Sequence, residues 1–282
     1  MIEFLGKAKN EWQRSHGRSI TSYRSPIEIQ RQSLVFEDFE ITTSETQFPF
    51  SFTLPINSLP SVEAESYGRY DSTMEIHYRI KITIDLGGFF DDKSSSFANL
   101  SNWTSSQSFP IDYSPPVAES IVGDVGFCLC GSTEVPLQLT LPQRGWMIGS
   151  ILEGELLIDN ASNSTFDLMK IDLNQHFDLV AFPSYSEMTS FPMDQPFIQT
   201  RRSEEQSQIE KAVFSNTLDI QVKPKVTEKL KFAFKIPWIP STFHCAIIQL
   251  MYKLKAGDPF CLRHSLFDYR HPNCSTYWKQ WA

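Results

Sequence analysis

Near the end of the sequence four side chains of zinc-binding type stand close together, as Cys261-x-x-His264 followed by His271-x-x-Cys274. Thiolates and imidazoles in short paired spacings are how structural zinc sites are built. Only six residues separate the two pairs, against about twelve in familiar fingers. Cys261, His264, His271 and Cys274 are therefore candidates that fall short of a finger, and the expectation is a chain without metal or cofactor. Cys128-x-Cys130 has no matching pair nearby, and cysteines so placed pack as small apolar residues. The six histidines, His16, His77, His176, His244, His264 and His271, are scattered along the chain. No glycine-rich phosphate loop, G-x-S-x-G, H-E-x-x-H or doubled C-x-x-C is present. No catalytic residue is expected, and the chain reads as a protein that is not an enzyme.

Positive charge is the remaining chemical clue. Arg201, Arg202, Lys223 and Lys225 are candidates for contact with a partner or a phosphate, with Lys229 and Lys231 close behind them. Paired guanidinium forks suit phosphate oxygens, while a solvated strand face accounts for the same lysines equally well. A net charge of −8 and the lack of a long Lys/Arg cluster exclude nucleic acid as a main partner.

The elements that must carry these residues are strands. Successive side chains of a strand point to opposite faces, so apolar residues recur with period two. Ile76, Tyr78, Ile80, Ile82 and Ile84 alternate with His77, Arg79, Lys81, Thr83 and Asp85, and Phe48, Phe50, Phe52 and Leu54 alternate between prolines. The pattern recurs at Val135–Leu141, Ile171–Leu173, Leu218–Val222, Leu230–Ile236 and Ile248–Leu254. Many short strands without long amphipathic segments predict an all-β chain of sandwiches. Ser203 to Val213, with capping-box spacing in Ser203-Glu204-Glu205-Gln206, is the best helix candidate, and a polar hairpin loop fits it as well. Gly145, Trp146 and Gly149 suit a turn in which the indole closes one end of a core.

At 282 residues, 41% hydrophobic and 21% charged, the chain has the composition of a globular protein of one or two domains. The rigid Tyr113-Ser114-Pro115-Pro116 follows a Ser/Asn-rich stretch, which places a boundary there, with residues 1–114 before a linker at 115–118. The amino terminus lacks an apolar signal region and no run approaches membrane-spanning length. Five cysteines, an odd number, suit reduced thiols. A cytoplasmic protein with at most peripheral membrane contact is expected.

Several motifs carry a resemblance. Phe4-Leu5-Gly6-Lys7-Ala8-Lys9-Asn10-Glu11-Trp12, Phe48-Pro49-Phe50-Ser51-Phe52-Thr53-Leu54-Pro55, Leu59-Pro60-Ser61 and Ile76-His77-Tyr78-Arg79-Ile80-Lys81 occur in order. They resemble the amino-terminal sandwich of the α-arrestins, the arrestin-domain-containing proteins. Gly145-Trp146-Met147-Ile148-Gly149, Ile158-Asp159-Asn160-Ala161-Ser162 and Ile236-Pro237-Trp238-Ile239-Pro240-Ser241 through Leu254 resemble the carboxy-terminal domain of the same family. The resemblance implies two immunoglobulin-like β-sandwiches, the first lacking its opening strands and the second at 119–257 with an unaligned tail at 258–282, in a chain shortened at both ends. It also implies an adaptor that binds cytoplasmic tails of membrane receptors or transporters for endocytosis, ubiquitination or endosomal sorting, recruited to the plasma membrane or endosomes. A stoichiometric subunit of a retromer-like sorting coat is the alternative, and homo- or hetero-oligomers with other arrestin-like proteins are further expectations. Pro115-Pro116 is followed by Val117-Ala118, so the Pro-Pro-x-Tyr motif by which the family recruits ubiquitin ligases is absent and ligase contact is expected to be indirect.

Overall fold

The computed structural model describes residues 1–36, 47–55, 58–66, 71–84, 93–100, 117–125, 133–143, 145–163, 165–183, 196–199, 202, 205–257 and 279–281, and no α-helix occurs among them. The strands are β1 (Ile2–His16), β2 (Ser19–Leu34), β3 (Val62–Ser66), β4 (Ser72–Ile84), β5 (Lys93–Leu100), β6 (Val117–Val125), β7 (Thr133–Leu141), β8 (Ile151–Asn160), β9 (Phe166–Val180), β10 (Phe182–Pro183), β11 (Gln206–Val222), β12 (Val226–Lys235), β13 (Phe243–His244), β14 (Ile248–Gly257) and β15 (Lys279–Trp281). Three sheets result, ordered β10-β2-β1-β4-β3 with β5 also on β4, β11-β9-β14-β13 with β15 on β14, and β12-β8-β7-β6. Every pairing with a described register is antiparallel. The chain is an all-β sandwich protein, as its period-two patterning predicts.

Compactness divides the chain into two units. Unit 1 comprises Met1–Gln107, Phe177–Ile209 and Pro240–Leu250, and unit 2 comprises Ser108–His176, Glu210–Ile239 and Met251–Ala282. The units interleave along the chain, whereas the boundary drawn from composition separates contiguous stretches. Val117 and Ala118, placed in the linker on composition, belong to β6; Pro115 and Pro116 lie outside the described residues.

In unit 1, β1 and β2 form a long hairpin running from Ile2↔Leu34 to His16↔Ser19, and β1 pairs on its other side with β4, Ile2 opposite Ile82. One face of β1 presents Phe4, Ala8, Asn10 and Trp12, each at most 2% exposed. The Phe4 ring stacks on Tyr78 at 5.6 Å between centroids, and Trp12 stacks on Tyr23 at 5.9 Å. Gly6 lies between them because nothing larger fits: a Cβ there would stand 2.6 Å from Tyr78 Cε1. Asn10 Nδ2 donates to the carbonyls of Val180 and Ile247, both at 2.9 Å, so an amide inside the core satisfies two carbonyls supplied by later segments of the same unit.

The strand expected over Phe48 to Leu54 is not one. Residues 47–55 join no ladder; instead the Phe52 ring packs 5.7 Å from Phe4 and Phe48 packs 5.5 Å from Phe36. Pro49 and Pro55 remove backbone donors from the segment, and its aromatic rings hold it where a ladder does not. Period two reported an extended chain with one apolar side, which is necessary for a strand but does not supply a partner.

Unit 2 is built around a core shared by two sheets. Leu139 and Leu141 of β7, Leu152, Leu156 and Ile158 of β8, and Phe232 and Phe234 of β12 come from one side. Met169, Ile171 and Leu173 of β9, Val222 of β11 and Leu254 of β14 come from the other. Phe214 of β11, partly buried against this core, stacks on Phe234 of β12 at 4.1 Å between centroids. Trp146 packs against this core, and Gly149 beside it adopts φ 79°, as the Gly-Trp turn predicts. Gly154 is required opposite Phe232, whose ring occupies the space a Cβ would need.

Ser203 to Val213 is mostly strand over its described part, with a single 3₁₀ position at Glu205. From Gln206 it is the start of β11, with Ser207 and Ile209 buried and Gln206, Gln208 and Glu210 exposed. That alternation, with Ile209 fully buried, outweighs a capping signal worth about 1 kcal/mol. Ser203 and Glu204 lie outside the described residues.

Candidate interaction surfaces

The lysines of β12 stand where strand alternation puts them. Leu230, Phe232 and Phe234 turn inward, so Lys229, Lys231 and Lys235 turn outward. Across the ladder from them lies β8, with Lys231 opposite Glu155, Ala233 opposite Glu153 and Thr227 opposite Asp159. Lys229 Nζ pairs with Glu155, and Lys231 Nζ lies 3.7 Å from the same carboxylate. The hydrogen bond from Lys229 holds the Glu155 carboxyl below its ordinary value. Basic and acidic side chains thus interdigitate on one solvated face, and pairs this exposed are worth at most about 1 kcal/mol. Lysines on an edge strand also discourage another chain from adding to it.

The other cationic candidates are distributed as follows. Lys223 is exposed, and its carbonyl accepts from Asn160 Nδ2 at 3.1 Å. Lys225 occupies the β11–β12 turn with φ 61°. Its N–H donates to the Asn160 carbonyl at 2.8 Å, and its ammonium donates to the Ala161 carbonyl. Asn160 completes the turn by accepting from Ser162 Oγ at 2.6 Å and donating to the Val222 carbonyl at 3.0 Å. A phosphate at Lys225 would compete with that carbonyl. In unit 1, Arg202 Nη1 lies 3.5 Å from Glu205. Arg201 lies outside the described residues, as do Cys261, His264, His271 and Cys274 and the pair Cys128 and Cys130. Among the described residues no group of three or more His, Cys, Asp or Glu side chains could hold a metal ion.

One constellation escaped the sequence reading. On β9 the side chains of Lys170, Asp172, Asn174 and His176 share a face, and the last three are at most 6% exposed. Lys255 of β14, 5% exposed, reaches across β9 to Glu210 of β11, its Nζ 2.8 Å from Oε1. Asn174 Nδ2 donates to the same oxygen, and Lys170 Nζ lies 2.7 Å from Asp172. Two ammonium groups face two carboxylates, so the set is balanced, although burial pulls the Lys255 ammonium below its ordinary value against the opposing pull of Glu210 and Asp172. Asp172 Oδ1 and Asn174 Oδ1 have no hydrogen-bond partner among the described residues. Polar alternation in a strand reads as a solvent face, which is why the sequence did not reveal a buried cluster here.

Nothing in these groups resembles an activated nucleophile. The Cys245 thiol is fully buried and burial pushes it up, away from thiolate. The Tyr78 phenol is likewise raised by burial and donates to the Leu59 carbonyl at 2.9 Å. No helix among the described residues is long and apolar enough to cross a membrane.

Residues 132–257 match the family model of the arrestin (or S-antigen) C-terminal domain. The matched stretch opens at β7 and closes at the end of β14, so it contains the whole described core of unit 2 and the Lys255–Glu210 cluster. A comparison with curated proteins found no match.

Proposed function

We propose that this chain, an arrestin-domain-containing protein by its match over residues 132–257, is a non-catalytic adaptor. It binds cytoplasmic tails of membrane receptors or transporters and couples them to endocytosis, ubiquitination or endosomal sorting from the cytoplasmic side. The observation that carries this role is the arrestin C-terminal domain itself, since domains of that family generally act as scaffolds. Support also comes from the absence of enzyme signatures in the sequence. Lys223, exposed just past the end of β11, is the cation proposed to meet a phosphorylated tail in unit 2, and Arg201 and Arg202 are the further candidates. Lacking Pro-Pro-x-Tyr, the chain reaches a ubiquitin ligase through another protein, including a second arrestin-like chain.

Affinity purification of the chain from cells, with quantitative mass spectrometry, tests this role. Recovery of membrane receptors or transporters, lost on phosphatase treatment or with Lys223→Glu, is the expected result. A fixed, equimolar coat complex would replace the adaptor with a structural sorting subunit, and recovery of neither would overturn both.

A further inference from the structure

The outer edge of β11 carries the inference that goes furthest. β11 ends its sheet, with β9 on one side and no described strand on the other. Phe214, Leu218 and Ile220 pack against the core of unit 2, so Lys211, Ser215, Thr217 and Asp219 turn to solvent, and all four are exposed. Edge strands normally carry charges or proline that keep other chains from adding to them. Other edges of the fold follow that rule: β12 has Lys229, Lys231 and Lys235, and the short β3 has Glu63 and Glu65. From Ala212 to Leu218, β11 has no charge, no Pro and no Gly, and it includes Val213, Phe214 and Thr217, which favour extended backbone. An edge of this kind is open to the addition of another strand.

Charge decides which strand adds. The uncharged stretch is bracketed by Lys211 and Asp219, opposite in sign and both within unit 2. Lys229 and Lys255 have carboxylate partners, whereas neither Lys211 nor Asp219 has an ion-pair partner among the described residues. Residues directly opposite in an antiparallel pair share a face and interact. When a second copy of β11 runs antiparallel along the first with Lys211 opposite the partner's Asp219, the two-fold axis passes through Ser215, and the same ion pair forms again on the other side of it. Between the two pairs Ala212 faces the partner's Leu218, Val213 the partner's Thr217 and Phe214 the partner's Asn216, so no like charges are opposed. Lys211 and Asp219 lie on the solvent face in both copies, and Phe214 and Leu218 lie on the core face. A strand complementary in charge to itself selects its own copy, and such a contact closes as a two-fold dimer.

We propose that β11 pairs with β11 of a second copy of this chain, antiparallel about Ser215, so that two copies share one continuous sheet. The dimer does not depend on the adaptor role. The stretch from Lys211 to Asp219 is shorter than the roughly 20–30 residues a side of a standard interface, so the association is weak and reversible. Sedimentation velocity of the purified full chain at rising concentration is expected to show monomer passing to dimer. Lys211→Asp alone and Asp219→Lys alone should each raise the dissociation constant about tenfold, since the two-fold axis makes every reversal act twice. The two combined should restore it. Ser215→Lys sets two ammonium groups face to face and should leave monomer. Ser215→Cys, oxidised with copper phenanthroline, should give a dimer joined through position 215 in a tryptic map, because residues paired at the axis stand about 4.5–5.5 Å apart between Cα atoms, within disulfide reach. Thr217→Cys, displaced from the axis, should not. All four substituted side chains are exposed, and an unchanged urea midpoint shows that each variant keeps its fold. Monomer at every concentration, a dimer indifferent to the charge reversals, or cross-linking at position 217 rather than 215 overturns the proposal.

Discussion

At the scale of single residues, glycine and histidine set the sharpest constraints. Gly154 lies opposite Phe232, whose ring fills the volume of a missing side chain. Gly154→Ala should destabilise unit 2 by about 1–3 kcal/mol through overpacking, seen as a lower urea midpoint at unchanged slope; an unchanged midpoint would mean the ring moves aside freely. His77 on β4 stands opposite Lys7 of β1, with Glu75, Arg79 and Lys9 nearby. Burial, aided by the cations and opposed by Glu75, holds its imidazole below the ordinary value of 6.5. The unfolded chain therefore binds a proton that the folded chain does not. The stability contribution is whole above 6.5 and falls as pH drops below 6.5 toward the folded value. His77→Gln should flatten that part of the stability curve, and a slope identical to wild type would remove His77 from the account. Neither constraint is wholly written in the local sequence, since the Phe232 ring comes from β12 and the Lys7 and Lys9 cations come from β1, although Arg79 is a neighbour of His77 on β4.

At the scale of elements, three strands are tied by one charged clamp. Lys255 of β14 crosses β9 to reach Glu210 of β11, and Asn174 on β9 donates to the same carboxylate. Breaking such a pair from one side leaves the buried partner uncompensated, which costs more than the pair contributes. Glu210→Gln strands the Lys255 ammonium, and since the Glu210 side chain is 32% exposed the cost is discounted from the fully buried figure to about 2 kcal/mol. Lys255→Met should cost less, because Glu210 can hydrate and Asp172 keeps Lys170. Thermal melts of the two variants should rank in that order, and the reverse order would show that the clamp is not what holds β11. Elements also explain where sequence patterning was sufficient. β4 and β12 alternate apolar and polar residues against a single core face, and that information is local. β11 was obscured because a capping-box sequence runs into its first residue, Gln206, and what overrides it is the burial of Ser207, bonded to Ser72, and of Ile209.

At the scale of the whole molecule, compact units and chain segments do not coincide. Unit 1 needs residues far beyond Gln107: Asn10 bonds carbonyls at Val180 and Ile247, Ser72 Oγ lies 2.7 Å from Ser207 Oγ, and β10 adds to β2. Residues 1–107 expressed alone should therefore lack the cooperative urea transition of the full chain, because buried polar groups lose their partners and apolar faces stay open. A sharp transition in the fragment would show those later segments to be dispensable. The sequence by itself determined the all-β class, the strands β4, β7, β12 and β14 with parts of β9 and β11, the Gly-Trp turn and the arrestin resemblance, because side-chain alternation and turn chemistry act between near neighbours. Only the tertiary structure decided two things: that Phe48 to Leu54 joins no ladder, and that the polar face of β9 is buried around Lys255 and Glu210. Each depends on which distant segments come together, and pairing across long loops is set by the sum of the packing rather than by any residue's neighbours in the chain.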